Sequence, residues 1–188
     1  MNRAVFLDRD GVIVKNIDGE APTRVSDLEL IPQIIPVILK LQKRGYKIII
    51  VSNQPDVAQG IITEDTKKGL VKEFEKLLKE YKLSIDGIYY CFHHPQGVIK
   101  KYTKVCDCKK PKPGMLLKAI HDHKIDPKKS FMIGDRASDI KAGSLVGVKT
   151  VLFDPENSEQ DYLLEYKVRP DFTIKKLSEA VEIIKENP

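Results

Sequence analysis

The chain lacks any long apolar run, which argues against a membrane-spanning helix. Its longest runs of this kind, such as "IIIV" at residues 48–51, are far shorter than the roughly 20 residues that cross a bilayer. The amino terminus reaches Arg3 and Asp8 without the apolar region of a secretory signal. We therefore predict a cytoplasmic protein with no membrane partner.

The chain also has few cysteines and only a small net charge. Three cysteines in a chain predicted to be cytoplasmic argue against a disulfide framework. The formal charge is only +5, and the lysines are spread over apparent helix faces, so we expect no nucleic-acid partner, while a small anionic ligand remains compatible. With 41% hydrophobic and 31% charged residues in 188, we predict one globular domain over residues 1–188, acting as a monomer.

Short apolar runs alternate with segments of helical periodicity. Strands are predicted at 5–7, 46–54, 87–91, 130–135 and 149–154. Helices are predicted near 32–44, 64–82, 114–123, 137–145 and 176–186. This alternation implies parallel βαβ units. The predicted fold class is therefore α/β, a Rossmann-like three-layer sandwich around a mainly parallel central sheet, with no large cap domain.

Polar side chains lie at the end of three of the predicted strands or directly after it. Together with a lysine further along the chain they are Asp8, Asp10, Ser52, Asn53, Lys110, Asp135 and Asp139. Because parallel strands end at one edge of a sheet, we expect these groups to meet in one crevice. Crowded carboxylates repel each other, and Mg²⁺ with its oxygen ligands would relieve that repulsion. Each group alone could be a turn or a helix cap, but their joint occurrence favours a site.

All three cysteines belong to a second pattern, which we call the zinc loop, at about 91–108. A Cys-x-His pair, twelve further residues and a Cys-x-Cys pair supply Cys91, His93, Cys106 and Cys108. Three thiolates and one imidazole are a closed tetrahedral set for structural Zn²⁺. His94 is a competing imidazole, and redox-active or incidental buried thiols are the other readings. Zinc here would fix the segment that runs into Lys109 and Lys110.

The stretches "FLDRDGVI", "VSNQ", "KPKPG" and "IGDRASDI" resemble, in this order, the four motifs of the haloacid dehalogenase superfamily of phosphotransferases. The resemblance covers most of the chain and implies a magnesium-dependent phosphomonoester hydrolase that forms an aspartyl-phosphate. It implies that Asp8 is the nucleophile and that Asp10 is the general acid and base. It also implies that the phosphate is bound by Ser52, Asn53 and Lys110, and that magnesium is bound by Asp8, Asp10 and Asp135, with Asp139 in a supporting role. Two other classes remain: a receiver-like signalling domain and a zinc-held interaction module with a vestigial acidic cluster.

The zinc loop directly before the lysine motif is similar to that of the heptose bisphosphate phosphatases and their relatives, the histidinol-phosphate phosphatases. That similarity implies that Lys109 and Arg136 help bind substrate, a small phosphorylated metabolite of carbohydrate metabolism and heptose supply for lipopolysaccharide. Within the loop, Lys100, Lys101 and Lys104 favour a second phosphate over a cationic amine. We therefore predict a sugar bisphosphate, with histidinol phosphate as the alternative and merely solvated lysines as the simpler explanation.

Two stretches depart from the pattern of the heptose enzymes. After "SNQ" the chain reads "PDVAQG", where those enzymes usually have a Ser-Gly and a later arginine. Residues 16–28 contain no aromatic side chain that could pack against a sugar. Both departures leave the catalytic motifs unchanged and concern the substrate.

Overall fold

A six-stranded sheet lies at the centre of the computed structural model, which describes residues 1–187. Its strands are β1 (Ala4–Leu7), β2 (Lys47–Asn53), β3 (Gly87–Cys91), β4 (Phe131–Gly134), β5 (Lys149–Phe153) and β6 (Phe172–Ile174). The helices are α1 (Ile34–Lys43), α2 (Asp56–Gln59), α3 (Glu64–Glu80), α4 (Gly114–His123), α5 (Ala137–Val146), α6 (Gln160–Glu165) and α7 (Glu179–Glu186). The strands are ordered β3-β2-β1-β4-β5-β6, and every neighbouring pair is parallel.

The central strands are buried on both faces, as their continuous apolar sequences require. Side chains alternate along β1, so Val5 and Leu7 enter one apolar cluster while Phe6 enters the cluster on the opposite face. Helices α1, α3 and α7 cover the first face, and α4 and α5 cover the second. The predicted α/β three-layer sandwich is confirmed, and no inserted cap domain interrupts it within residues 1–187.

Helix α3 shows how local sequence sets these layers. Thr63 caps its first turn, accepting a hydrogen bond from the Thr66 amide at 3.1 Å. Leu70, Phe74 and Leu78 recur at four-residue spacing and are the buried residues of the helix. The remaining face is rich in lysine and glutamate, so the predicted solvated face is confirmed.

Two α-helices and one strand were not predicted, and each is short. Helices α2 and α6 have four and six residues, and β6 has three, which is too little sequence for a period to show. The closing helix begins at Glu179, three residues later than predicted, and the preceding Lys176 amide donates to the Glu179 side chain at 2.8 Å. Within residues 1–187, no helix combines the length and the apolar character needed to cross a membrane.

Candidate active site

The carboxyl ends of the central strands bring a lysine and two aspartates into direct contact. Strand β1 lies between β2 and β4, so Asp8, just past β1, faces groups that follow both neighbours. The Lys110 ammonium lies 2.9 Å from Asp8 Oδ1 and 2.5 Å from Asp139 Oδ1. It also donates to the Val51 carbonyl at 2.8 Å. Although burial alone lowers the pKa of Lys110, the Asp139 and Asp8 carboxylates raise it above its ordinary value.

Asn53 positions Lys110 through the main chain. Its side-chain amide donates to the Lys110 carbonyl at 3.0 Å, and its side-chain oxygen accepts from the Lys110 amide, also at 3.0 Å. This pair joins the end of β2 to the lysine motif 57 residues later. Asn53, predicted as a phosphate ligand, uses its side chain here to hold the backbone of Lys110.

Asp10 contacts a different set of side chains from Asp8. Its carboxylate is paired with Arg9 at 2.8 Å and accepts from Gln54 Nε2 at 2.5 Å. The Ser52 hydroxyl lies 3.5 Å away. Burial raises the pKa of Asp10, against the opposing effect of the Arg9 guanidinium. A carboxyl with a raised pKa is suited to donating a proton.

Two glycines allow the acidic groups to approach so closely. Gly11 has a φ of +79°, and a Cβ there would lie 2.0 Å from Asp135 Oδ2. A Cβ on Gly134 would lie 2.2 Å from the Asp139 Cβ. Both positions therefore require glycine for steric reasons.

Asp8, Asp135 and Asp139 form one carboxylate group, with an oxygen of each lying within 4.8 Å of the others. Burial, and then the Asp8 charge, raise the pKa of Asp135 well above its usual range. Asp135 Oδ1 is buried and has no hydrogen-bond partner among residues 1–187. This donor set fits Mg²⁺, which takes oxygen ligands. Asp10, the third predicted magnesium ligand, lies outside the group because Arg9 and Gln54 hold its side chain.

The zinc loop brings its four predicted ligands together. Donor atoms of Cys91, His93, Cys106 and Cys108 all lie within 4.8 Å of one another. The Sγ atoms are separated by 2.9 Å for Cys91 and Cys108, 3.3 Å for Cys106 and Cys108, and 3.6 Å for Cys91 and Cys106. Zinc–sulfur bonds of about 2.3 Å in a tetrahedron place sulfurs about 3.8 Å apart. The donor chemistry fits one zinc ion, and the three sulfurs already lie within about 1 Å of the separation that zinc would require.

The two candidate histidines differ in what they contact. His93 Nδ1 lies 3.2 Å from Cys108 Sγ and 3.7 Å from Cys91 Sγ. His94 instead accepts at Nδ1 from the Gln96 amide at 3.2 Å, and its backbone pairs with Thr103. The geometry favours His93 over His94 as the imidazole of the cluster.

The predicted substrate-binding cations lie at the edge of the carboxylate crevice. Arg136 borders the crevice, and its guanidinium donates to the Gly19 carbonyl at 2.8 Å. Lys109 lines a neighbouring cavity together with Lys104. Lys101 is directed elsewhere, because it lies over the Tyr102 ring and 3.5 Å from a Glu64 oxygen. The three loop lysines thus do not converge on one point.

Comparison with known proteins gives a consistent result. Residues 107–180 match the family model described as HAD-hydrolase-like. The chain is 43% identical over 149 residues to the D-glycero-beta-D-manno-heptose-1,7-bisphosphate 7-phosphatase of Haemophilus influenzae, covering 79% of this chain and 78% of that protein. It is 40% identical over 162 residues to the enzyme of the same name from Photorhabdus laumondii, covering 84% and 85%. The chain belongs to the haloacid dehalogenase-like phosphatases.

Solved structures agree with the fold of this phosphatase. A HAD-like phosphatase of Mesorhizobium loti superposes with a TM-score of 0.81 at 26% identity, over 98% of this chain and 87% of that one. A D,D-heptose 1,7-bisphosphate phosphatase of B. bronchiseptica, solved with magnesium and phosphate, superposes with a TM-score of 0.81 at 20% identity, over 99% of each chain. The enzyme class argues against both the receiver-like domain and the interaction module.

Sequence reasoning missed two side chains at the centre of this phosphatase. Arg9 lies between the two motif aspartates and is 1% exposed, with its guanidinium on Asp10 and over the Phe74 ring. Gln54 is 7% exposed and donates to both Asp10 and Ser52. Arg9 had a detectable signal, since a charged residue next to a fully apolar strand requires a partner if it is buried.

Proposed function

We propose that this phosphatase removes the 7-phosphate of D-glycero-D-manno-heptose 1,7-bisphosphate through an aspartyl-phosphate on Asp8. The observation that carries the proposal is the placement of Asp8 against Lys110, with Asp10 held separately by Arg9 and Gln54. The nucleophile and the proton donor thus lie two positions apart in the sequence but contact different partners. The named relatives, about 40% identical over most of the chain, support the choice of substrate.

The first half of the reaction joins Asp8 to phosphorus. An Asp8 oxygen attacks the phosphoryl group while Lys110 neutralises charge on the phosphoryl oxygens. The bond to the leaving sugar oxygen breaks, and protonated Asp10 gives its proton to that oxygen. Burial prepares Asp10 for this step by raising its pKa.

The second half hydrolyses the intermediate. Asp10, now ionised, takes a proton from water, and the water oxygen attacks the aspartyl-phosphate phosphorus. Inorganic phosphate leaves and Asp8 is regenerated. Ser52 lies buried beside Asp10 at the end of β2, where its hydroxyl can orient the phosphate.

Magnesium would be held by Asp8 and Asp135, with Asp139 supporting the arrangement. The four carboxylates of the centre, including Asp10, face two buried cations, Lys110 and Arg9, and the partly exposed Arg136, which lies 3.7 Å from Asp135. Negative charge is therefore in excess when all four carboxylates are ionised. When bound, magnesium supplies charge neutralisation for the transferred phosphoryl group.

Zinc would be held by Cys91, His93, Cys106 and Cys108 and would take no part in the chemistry. The Gly114 amide donates to the Asp107 carbonyl at 2.9 Å, so residues 107–114, which include Lys110, form a closed loop directly attached to the cluster. Fixing Cys108 on a metal would therefore limit the movement of Lys110.

The test is steady-state kinetics with magnesium on heptose 1,7-bisphosphate and on histidinol phosphate. We expect a markedly higher kcat/KM for the bisphosphate, with phosphorus NMR identifying the 1-phosphate as the product. Equal or reversed values would place the enzyme with the histidinol-phosphate phosphatases. A single phosphorylation without turnover would instead support a receiver-like role.

A further inference from the structure

Helix α6 places two tyrosines beside the catalytic crevice, in a region where no motif predicts a site. Tyr162 and Tyr166 line a cavity of about 280 Å³ together with Arg136, Ser138 and Glu159. Arg136 and Ser138 also line the crevice over the catalytic carboxylates. The tyrosine cavity and the catalytic crevice therefore adjoin along the first turn of α5.

Tyr166 also lines a third cavity, of about 300 Å³, whose wall includes Lys104, Lys109 and Lys110. Lys110 belongs in turn to the catalytic crevice. The tyrosine cavity, this third cavity (called the lysine cavity below) and the catalytic crevice therefore adjoin one another, since each pair of them has at least one lining residue in common. Tyr166 separates the two outer cavities, with Arg136 bordering one and Lys109 bordering the other.

Hydrogen bonds to two buried carboxylates hold the loop before α6 in place. Asp154, 2% exposed, accepts from the Ser158 amide at 2.8 Å. Glu159, 4% exposed, accepts from the Ala137 amide at 2.7 Å. Asp154 thus stabilises the loop after β5, and Glu159 fixes the start of α6 against α5.

The Tyr166 ring is itself held by packing. It contacts a small apolar cluster formed by Ala137, Ile140, Leu152 and Leu163, yet it remains half-buried and accessible from both outer cavities. An immobilised aromatic ring loses little further conformational freedom when a ligand binds to it.

We propose that Tyr166 is the platform for the leaving-group part of the substrate, and that its ring packs against the carbon-bound hydrogens of a sugar. This inference rests on the proposed function and deepens it by naming a specificity residue. Sugars combine apolar faces with hydroxyl edges, a combination that suits tyrosine, which has an apolar ring and a polar tip.

The flanking charges define the substrate class further. Lys109 and Arg136, one on each side of Tyr166, favour an anionic sugar and disfavour a leaving group with a cationic amine. The aromatic side chain that is missing from residues 16–28 is thus supplied from near the carboxyl end of the chain.

The experiment compares Tyr166→Leu with wild type on heptose 1,7-bisphosphate and on acetyl phosphate, whose two-carbon leaving group offers no ring face. We expect the ratio of kcat/KM for the bisphosphate to that for acetyl phosphate to fall about tenfold, mainly through KM of the bisphosphate. Tyr166→Phe, which keeps the ring, should retain most of the wild-type ratio. Tyr81→Leu, at a tyrosine that is 48% exposed and follows α3, is the matched control and should leave the ratio unchanged.

An equal loss on both substrates in Tyr166→Leu would show a purely structural role and overturn the inference, as would an unchanged ratio. Failure of the wild type on the bisphosphate would refute the proposed function separately. The same comparison would then use the sugar phosphate that the wild type hydrolyses best. The same fall in the ratio would support the platform, and its absence would overturn it.

Discussion

The carboxylate centre and the zinc loop are both crowded polar clusters, but the chain compensates them differently. In the carboxylate centre, Lys110 and Arg9 pair directly with the acidic groups. In the zinc loop, the three thiols and the imidazole contact mainly one another. The carboxylate centre is therefore partly held by its own ion pairs, whereas the four donors of the zinc loop would be held together by the proposed zinc ion.

This difference predicts opposite responses to a change in the two clusters. Removing a carboxylate should affect the reaction more than the fold, while removing a thiol should affect the local fold more than the reaction chemistry. Removing the buried lysine should affect both, because Lys110 compensates two carboxylates at once.

The largest expected effect follows from Asp8→Asn. Turnover should fall by at least about a thousandfold because the nucleophile is lost, while the circular dichroism spectrum and zinc content stay at wild-type values. Phosphate release under saturating substrate and magnesium is the measurement, and Asp27→Asn, at a carboxylate paired with Arg24, is the control. Substantial residual turnover would remove Asp8 from the role of nucleophile.

Lys110→Met should both stop turnover and destabilise the fold. It leaves Asp8 and Asp139 without their shared cation, and breaking a buried ion pair in this way typically costs about 3–5 kcal/mol. Urea unfolding without added magnesium measures this loss. Lys109→Met is the neighbouring control and should change the unfolding free energy little. Equal stability of the two variants would contradict the ion-pair account of the carboxylate centre.

Cys108→Ser should remove bound zinc and lower stability to a smaller extent. The wild type should carry about one zinc per chain by elemental analysis. A ligand that is present at about a hundred times its Kd raises the free energy of unfolding by roughly 2.7 kcal/mol. Losing zinc should lower the free energy of unfolding by about that amount, which is measured as a lower Tm. Zinc-free wild-type protein after a chelator-free purification would refute the ligand set.

Chelation of magnesium should, in contrast, abolish activity reversibly without lowering the zinc content.

The smallest effect is expected at the outer end of the zinc loop, from Glu64→Gln. The Tyr102 hydroxyl donates to the Glu64 carboxylate at 2.8 Å, which anchors residues 99–103 to α3. The Lys67 ammonium and the Tyr102 hydroxyl hold the pKa of Glu64 down at about 2, so this carboxylate stays ionised at neutral pH. The variant should exchange amides of residues 99–103 about threefold to tenfold faster, with activity nearly unchanged. Glu73→Gln, on the same helix, is the control, and equal exchange in both variants would argue against the anchor.

The sequence allowed the central fold and most of the site to be predicted because their signals are local. Buried runs such as that of β1 and the motif aspartates that follow it need no long-range information. The double hydrogen bond between Asn53 and the Lys110 backbone could not be predicted, since it joins residues 57 positions apart. Nor could the position of Tyr166, because α6 is too short to show a period and is placed by buried carboxylates that resemble ordinary loop residues.

The first turn of α5 has a consequence for how this enzyme can change over evolution. Asp139 caps that turn on the Arg136 amide and also pairs with Lys110. The neighbouring Ala137 amide anchors Glu159 of the α6 loop, and the Arg136 side chain reaches Gly19. The loop that carries Lys110, the loop before α6 and the loop at Gly19 are thus all anchored to one short segment of helix. Residues that face the leaving group can be replaced loop by loop while the reacting carboxylates stay in place, so new substrates are accessible to this scaffold without rebuilding its chemistry.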